Sequence, residues 1–319
     1  MSNAVLDIKP NKPTRVKKIQ SRKIKDNFQL FLLTVPALLC FILFAYLPMF
    51  GVVLAFKQFN YSDGIFFSPW VGFDNFQYFF GSQDAWRVAR NTVLYNLTFI
   101  LLGIVASVTV ALLLYEVKRK VFVKLFQTAM TLPRFLSWVV VSYISYMLLD
   151  PSKGILNQII TFFGGTGIQW YSDPKYWPVI LTLFHIWKCV GMDCIIYYAA
   201  LMGVDSELFE AAQIDGANRF QQIIYISIPS IVPVITILFI LAVGGIFGGD
   251  FGMFYQLPRD VGSLYPTTDI IPTYVFRGLQ GGNFEVASAV GLFQSVVGFV
   301  LVVITNMIVK KIDPERALF

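Results

Sequence analysis

The sequence of 319 residues has few charged side chains, and this scarcity limits the classes of protein to which it can belong. Only 14% of the residues are charged, against about 25% in a typical soluble domain. Hydrophobic residues make up 56%. A soluble fold cannot bury that much apolar surface, so the composition predicts a polytopic membrane protein. The net charge of +6 does not indicate nucleic-acid binding, because Lys and Arg cluster beside the apolar runs, as expected for topology signals.

Cysteine, histidine and nucleotide-binding motifs are also scarce or absent. The three cysteines, Cys40, Cys189 and Cys194, lie in apolar runs, which favours small buried side chains over disulfides. They show no metal-ligand spacing, and the single histidine, His185, has no partner set. The sequence contains no G-x-x-x-x-G-K-[ST] motif and no nucleophile elbow. We therefore expect no enzyme activity and no bound cofactor or metal, and any energy input must come from a partner.

Six apolar runs are long enough to cross a bilayer, which predicts an all-α membrane protein. The predicted spans are 28–56, 92–115, 126–149, 178–201, 230–248 and 287–309. They form one domain, 28–309, between a basic N-terminal tail, 1–27, and a short C-terminal tail, 310–319. Six aromatic residues of the loops are interpreted as anchors in an interfacial aromatic belt. They are Trp70, Trp86, Trp170, Tyr171, Tyr176 and Trp177.

The distribution of basic residues predicts the orientation. The proposed inner segments are 1–27, 116–125, 202–229 and 310–319, and together they hold sixteen of the 25 Lys and Arg residues. The proposed outer loops, 57–91, 150–177 and 249–286, hold seven. By the positive-inside rule, both termini are expected in the cytoplasm.

The inner loop 202–229 has helical rather than irregular spacing. Asp205 or Ser206 can cap a helix, and Gly216 supplies a stop or bend. The helix would be amphipathic, with one apolar and one polar face. The apolar face comprises Leu208, Phe209, Ala212 and Ile214, and the polar face Glu207, Glu210 and Gln213. A second helical piece is expected from Ala217 into the fifth span.

This loop resembles the EAA loop of membrane subunits of binding-protein-dependent ABC importers. The pattern is Glu-Ala-Ala, three residues, Gly, and about nine residues later Ile-x-x-Pro or Ile-x-Leu-Pro. The matching residues are Glu210, Ala211, Ala212, Gly216, Ile226 and Pro229, with Ile228 where leucine is commoner. The segment 72–76 also resembles a G-x-x-N-F element of sugar-importer subunits. An ordinary interfacial amphipathic helix is the alternative interpretation of the loop.

The resemblance implies the type I importer fold of the maltose and oligosaccharide class, in a bacterial plasma membrane. The loop would then be a coupling helix that docks on a separate ATPase. The residues implied in coupling are Glu210, Ala211, Ala212, Asp215, Gly216, Ala217 and Pro229. The implied partners are a second homologous permease, two copies of a P-loop ATPase that uses ATP and Mg, and an extracytoplasmic solute-binding lipoprotein. Nucleic acid is not among them.

Two regions are candidates for the substrate path. Asp193 lies within the fourth span, where an ionisable side chain is energetically costly and is usually either functional or paired. It either lines the path or pairs with Lys188. Arg134 either lines the path or extends to the interface. The glycine-rich end of the fifth span, 244–252, indicates either close helix packing or an unwound turn facing substrate. The candidate path residues are Asp193, Gly245, Phe247, Gly248, Asp250 and Phe251.

Other classes of function remain open at this point. An ABC importer subunit for a non-sugar solute would carry the same loop. A secondary transporter driven by an ion gradient would need an intramembrane carboxylate pathway and usually inverted repeats, which the sequence does not show. A membrane scaffold that does not transport is the third alternative.

Overall fold

A computed structural model describes residues 31–312 of the protein, and these residues are mostly helical. The predicted tail 1–27 lies outside the described residues, as do residues 313–319 of the predicted C-terminal tail. The helices before the loop 202–229 are α1 (Phe31–Phe56), α2 (Gly64–Phe67), α3 (Asp74–Phe80), α4 (Gln83–Tyr115), α5 (Lys120–Thr131), α6 (Trp138–Leu149), α7 (Ile155–Phe162) and α8 (Trp177–Met202). Those that follow are α9 (Ser206–Ile214), α10 (Arg219–Gln222), α11 (Ile228–Gly244), α12 (Phe251–Gln256), α13 (Tyr265–Thr268), α14 (Ile271–Gln280) and α15 (Phe284–Ile312).

Five of the predicted spans correspond to continuous helices that are long and apolar enough to cross a membrane. They are α1, α4, α8, the continuous helix Arg219–Gly244 that contains α10 and α11, and α15. Several boundaries differ from prediction. α4 begins at Gln83 instead of residue 92, and the fifth span ends at Gly244 instead of residue 248. α15 continues to Ile312, past the predicted boundary at 309.

The predicted span 126–149 does not form one continuous helix. α5 and a 3-10 turn, Leu132–Phe135, are separated from α6 by a bend of 97°. Leu136 is extended at the bend, and the Ser137 hydroxyl accepts a hydrogen bond from the backbone N–H of Val140 to start α6. Pro133 lies just before the break, where its missing N–H and fixed φ disfavour a continuing α-helix. If the bent pair is one span, the described helices supply six spans.

The helices from Leu54 onward pack around α4 and α8, which form the most extensive helix pair. Near one end of this pair, Tyr95, Phe99, Trp177 and Leu181 join residues of α6 and α12 in a buried cluster. Near the other end, residues of α4 and α8 pack against Ile231 of α11. The opposite faces carry exposed leucines, for example Leu101 and Leu183, which is the pattern of helices that face lipid. α1 shows the same apolar surface, and the most apolar 18-residue window in it contains no buried side chain.

The aromatic residues of the loops do not all behave as belt anchors. Trp70 and Trp86 are exposed, as the belt interpretation requires. Trp170 and Trp177 are buried instead, so the interpretation was wrong for both. The Trp177 Nε1–H donates to the Trp170 carbonyl oxygen at 2.7 Å, and the Trp170 Nε1–H donates to Asn157 Oδ1 at 3.0 Å. Buried indoles need such acceptors, and here they tie the loop after α7 to the start of α8.

The G-x-x-N-F segment has a structural role in the described chain. The Asn75 side chain is buried, and its Nδ2–H donates to the carbonyl oxygens of Ala55 and Lys57, each at 3.0 Å. Phe73 and Phe76 pack on the ring of Phe56, with centroids 5.5 Å away in both cases. The segment therefore fixes α3 against the chain that follows Leu54.

Candidate functional site

The loop between α8 and α11 has the helical form that its sequence predicts. Asp205 is the N-cap of α9, and its carboxylate accepts a hydrogen bond from the backbone N–H of Glu207 at 3.0 Å. α9 ends before Gly216, whose φ of +81° is a conformation that side chains with a Cβ rarely adopt. Asn218 then forms a capping box with Gln221 and starts the helix Arg219–Gly244. The predicted bend at Gly216 is confirmed.

The face of α9 that the other described residues leave uncovered is extensive. None of its residues is buried, and Glu207, Glu210, Ala211 and Gln213 are exposed. The predicted apolar face is only partly covered. Phe209 is half-buried against the ring of Tyr115 at the end of α4, whereas Leu208 is 52% exposed and Ile214 87% exposed. Exposed apolar side chains on a helix that carries few contacts of its own are typical of a docking surface.

Two contacts connect this loop to the long helices. The Arg219 guanidinium lies 3.8 Å from the Glu116 carboxylate at the end of α4. The buried Gln222 side chain donates to the Ala217 carbonyl oxygen at 3.1 Å, which holds the bend against the fifth span. Pro229 lies in the first turn of α11, directly after a π-helical stretch, Ile223–Ser227. These contacts join the loop to the end of α4 and to the fifth span.

A cavity of about 410 Å³, mostly apolar but with several polar side chains in its wall, lies among α4, α8 and α11. Two predicted path residues, Asp193 and Gly245, line it. His185, Ser107 and Asn96 line it as well, although none of the three is among the predicted path residues. His185 stacks on Phe99, with ring centroids 4.0 Å apart and planes within 7°. Its Nδ1 and the Ser107 hydroxyl are buried without a hydrogen-bond partner among the described residues. Such groups call for a polar ligand or water in the cavity.

The signal for His185 was present in the sequence. His185, Cys189 and Asp193 follow one another at intervals of four, which places them in one stripe along α8. Arg134, from the 3-10 turn before the break, donates to the Cys189 sulfur at 3.1 Å. His185 has no polar residue directly beside it in the sequence, but the helical period places it in a polar stripe with Cys189 and Asp193.

The other predicted path residues lie elsewhere. Phe247 packs against the cluster around Phe79 and meets the ring of Phe293 edge-on at 6.0 Å. Gly248 lies in the turn after Gly244, and this turn is unwound, as one of the two interpretations required. Close packing is also present, because no room exists for a Cβ at Gly244 beside Val302 of α15. The glycine-rich stretch is therefore closely packed at Gly244 and non-helical after it, and its contact with substrate stays a prediction.

Asp250 and Phe251 start α12. Asp250 Oδ1 accepts from the backbone N–H of Met253 at 3.2 Å, and its Oδ2 accepts from the Trp138 Nε1–H. Phe251 stacks on Tyr255, with centroids 5.2 Å apart, and also contacts Phe276. The six candidates thus divide between the cavity, a core cluster, the turn after α11 and the start of α12.

Lys188 does not pair with Asp193. Its side chain is buried, and its ammonium donates to the backbone carbonyl oxygens of Pro133, Arg134 and Leu136 at the break in the third span. The ammonium also lies 4.8 Å from the ring centroid of Trp138. The residue therefore supplies hydrogen bonds to carbonyls that the interrupted helix leaves without partners.

Two consecutive residues between α12 and α13 are strained. Arg259 (φ +59°) and Asp260 (φ +51°) are the positive-φ residues other than glycine within 31–312. Left-handed backbone at such residues costs about 1–3 kcal/mol each and occurs preferentially at functional sites. The Arg259 guanidinium lies 4.4 Å from the ring centroid of Tyr146 on α6. The arrangement places a cation over an aromatic ring beside α6.

These features define a multi-pass helical membrane subunit with an uncovered helix in one loop and, among its spans, a cavity with several polar side chains in its wall. Residues 99–317 match the family described as binding-protein-dependent transport system inner membrane component, and the chain belongs to this family. It is therefore a multi-pass protein of the bacterial plasma membrane and an ABC transporter permease.

Similar proteins extend over nearly the whole chain. Protein LplB of Bacillus subtilis is 37% identical over 92% of this chain and 92% of its own length. The polygalacturonan/rhamnogalacturonan transport system permease protein YteP of the same organism is 34% identical, over 95% of this chain and 94% of its own. A crystal structure of a bacterial ABC transporter that imports the acidic polysaccharide alginate includes a chain with 34% identity and a TM-score of 0.83. The match covers 92% of this chain and 99% of that one.

Proposed function

We propose that the protein is a permease subunit of an ATP-driven importer and carries an oligosaccharide across the plasma membrane. The observation that carries the proposal is the form of α9, a capped helix with exposed acidic and apolar side chains that ends in the bend at Gly216. The sugar class is supported by relatives named for polygalacturonan/rhamnogalacturonan and for arabinooligosaccharides, and by the alginate importer.

The partners belong to the same proposal. A second homologous permease would complete the path, and two copies of a P-loop ATPase, using ATP and Mg, would dock on the coupling helices. A solute-binding protein would deliver the sugar, as supported by the alginate transporter solved in complex with a pentasaccharide-bound periplasmic protein. Both termini and α9 would face the cytoplasm, in agreement with the distribution of Lys and Arg.

The mechanism that we propose is alternating access. Closure of the ATPase pair on ATP moves α9, and Arg219 and Phe209 transmit the displacement to the end of α4. Residues Glu210 and Ala211 would contact the ATPase, since they are exposed. The cavity lined by His185 and Asp193 would open toward the binding protein, and hydrolysis would reset the helices.

The test is uptake of labelled oligosaccharides by proteoliposomes that contain the whole complex. Uptake should stop when the P-loop lysine of the ATPase is replaced and should continue when an ionophore collapses the ion gradients. Loss of uptake on addition of the ionophore alone would favour the ion-driven alternative. Uptake of a peptide, an amino acid or phosphate, without uptake of any oligosaccharide, would favour an importer for another solute.

A further inference from the structure

A second cavity, of about 220 Å³, lies between α6 and α12 and is separate from the one that His185 lines. Its walls carry hydroxyl, amide and aromatic groups from Ser142, Tyr143, Tyr255 and Gln256, and the Val139 side chain and the Asp260 carboxylate line it as well. Arg259 supplies a cation at its wall. The cavity is many times larger than the about 10–15 Å³ that a single water molecule needs, so it has room for a larger ligand.

The Arg259 side chain is held in place at the cavity. The face of Tyr146 lies 4.4 Å from its guanidinium, and cation–π contact of this kind orients the planar group. Its backbone is fixed in a left-handed conformation that an arginine adopts only when the surrounding structure imposes it. Strain and stacking together position a guanidinium at the wall of a polar cavity.

The carboxylates around Arg259 are committed to other groups. Asp260 Oδ1 accepts from the Tyr265 hydroxyl at 2.9 Å and from Arg277 at 3.4 Å. The backbone N–H groups of Lys153 and Ser152, together with the Tyr146 hydroxyl, hold the pKa of Asp150 below its usual range. Within residues 31–312, Arg259 itself forms no ion pair. Its charge is therefore available to a ligand.

We propose that this cavity binds a uronate unit of an acidic oligosaccharide, with the Arg259 guanidinium paired to the sugar carboxylate. This inference rests on the proposed import of an oligosaccharide and names the substrate class. A guanidinium presents parallel N–H donors that match the two oxygens of a carboxylate. The hydroxyls of Ser142 and Tyr143 and the amide of Gln256 suit the sugar hydroxyls, and the Tyr255 ring offers an apolar face.

The test compares two substrates in proteoliposomes that contain the whole complex. One is an oligogalacturonate, and the other is a neutral galacto-oligosaccharide of the same length. Arg259→Gln is expected to lower uptake of the acidic substrate by about tenfold or more, since a charge-assisted contact is lost, while neutral uptake stays within about twofold. Lys153→Gln removes an exposed cation from the loop after α6 and should change neither uptake.

A second pair of variants separates the stacking from the phenol group. Tyr146→Phe keeps the ring under Arg259 and should retain the preference for the acidic substrate. Tyr146→Leu removes the ring and should reduce that preference. Equal acidic uptake by the wild type and by Arg259→Gln would overturn the inference. A wild type that imports only the neutral substrate would overturn it while leaving the proposed function intact, and uptake of neither substrate would overturn it without excluding import of another oligosaccharide.

Discussion

The ammonium of Lys188 on α8 donates to the backbone carbonyl of Leu136, at the point where the third apolar run turns by 97°. The same ammonium donates to the carbonyl oxygens of Pro133 and Arg134, each at 3.4 Å. Lys188, a basic residue in the middle of a span, thus joins α8 to the break in the third span through hydrogen bonds. Its role is to satisfy backbone groups that lipid would leave without partners.

Replacement of Lys188 by Met is therefore expected to destabilise the protein. Each buried carbonyl left without a donor costs about 1–3 kcal/mol. The midpoint of thermal denaturation of the purified complex, followed by fluorescence-detected size exclusion, should fall. Lys153→Met, at an exposed position outside the spans, is the matched control and should leave the midpoint unchanged. A Lys188→Met protein as stable as the wild type would show that the break holds without this contact.

Replacement of Asp193 should reduce uptake and leave the stability of the protein unchanged. Asp193 is half-buried, lines the cavity of about 410 Å³ and forms no ion pair within the described residues. Asp193→Leu is expected to reduce oligosaccharide uptake by about tenfold, since a charged hydrogen-bonding group is worth about 1.5–3 kcal/mol. The denaturation midpoint should stay close to that of the wild type. Met192→Leu, at an exposed neighbouring position, is the control, and unchanged uptake by Asp193→Leu would remove this residue from the path.

The bend at Gly216 can be tested through backbone conformation alone. A Cβ at this position would meet no atom within 4 Å, so substitution adds no steric contact beyond the backbone itself. The φ of +81° nevertheless opposes a branched side chain, with a cost of about 1–2 kcal/mol. Gly216→Val should uncouple ATP hydrolysis from uptake while leaving the spans inserted.

Gly216→Asn provides the comparison, because asparagine tolerates left-handed backbone better than valine. It should retain most of the uptake that Gly216→Val loses. ATPase activity and uptake measured on the same proteoliposomes give the coupling ratio. Equal ratios in the two variants would show that the bend is not what couples them.

The exposed side of α9 predicts which positions contact the ATPase. Ala211 is exposed and Ala212 half-buried. In a Cys40→Ser background, a benzophenone maleimide attached at Ala211→Cys should form an adduct with the ATPase subunit, and Ala212→Cys should react less. Ser152→Cys, in the loop after α6, should form no such adduct because it would lie on the other side of the membrane. An adduct at Ser152→Cys would contradict the proposed orientation.

Local features of the chain were predictable because they depend on neighbours in sequence. Apolar runs of sufficient length define the spans, since lipid requires every backbone bond to be satisfied within the helix. The cap at Asp205, the bend at Gly216 and the restart at Asn218 use residue types with strong local preferences, and the structure confirms the bend and the helix that follows it. The EAA spacing likewise lies within one short stretch.

Only the tertiary structure decided which polar residues meet. The third run has the composition of a span, yet it breaks at Leu136, where Lys188 of a distant helix meets the carbonyls released by the bend. His185 and Asp193 share a cavity with α4, whereas Asp250 bonds to Trp138 and caps α12. The left-handed backbone at Arg259 could not be predicted from the sequence, because the residue is not a glycine. Such contacts join residues far apart in sequence, so they depend on how the helices pack, which the hydrophobic pattern alone does not specify.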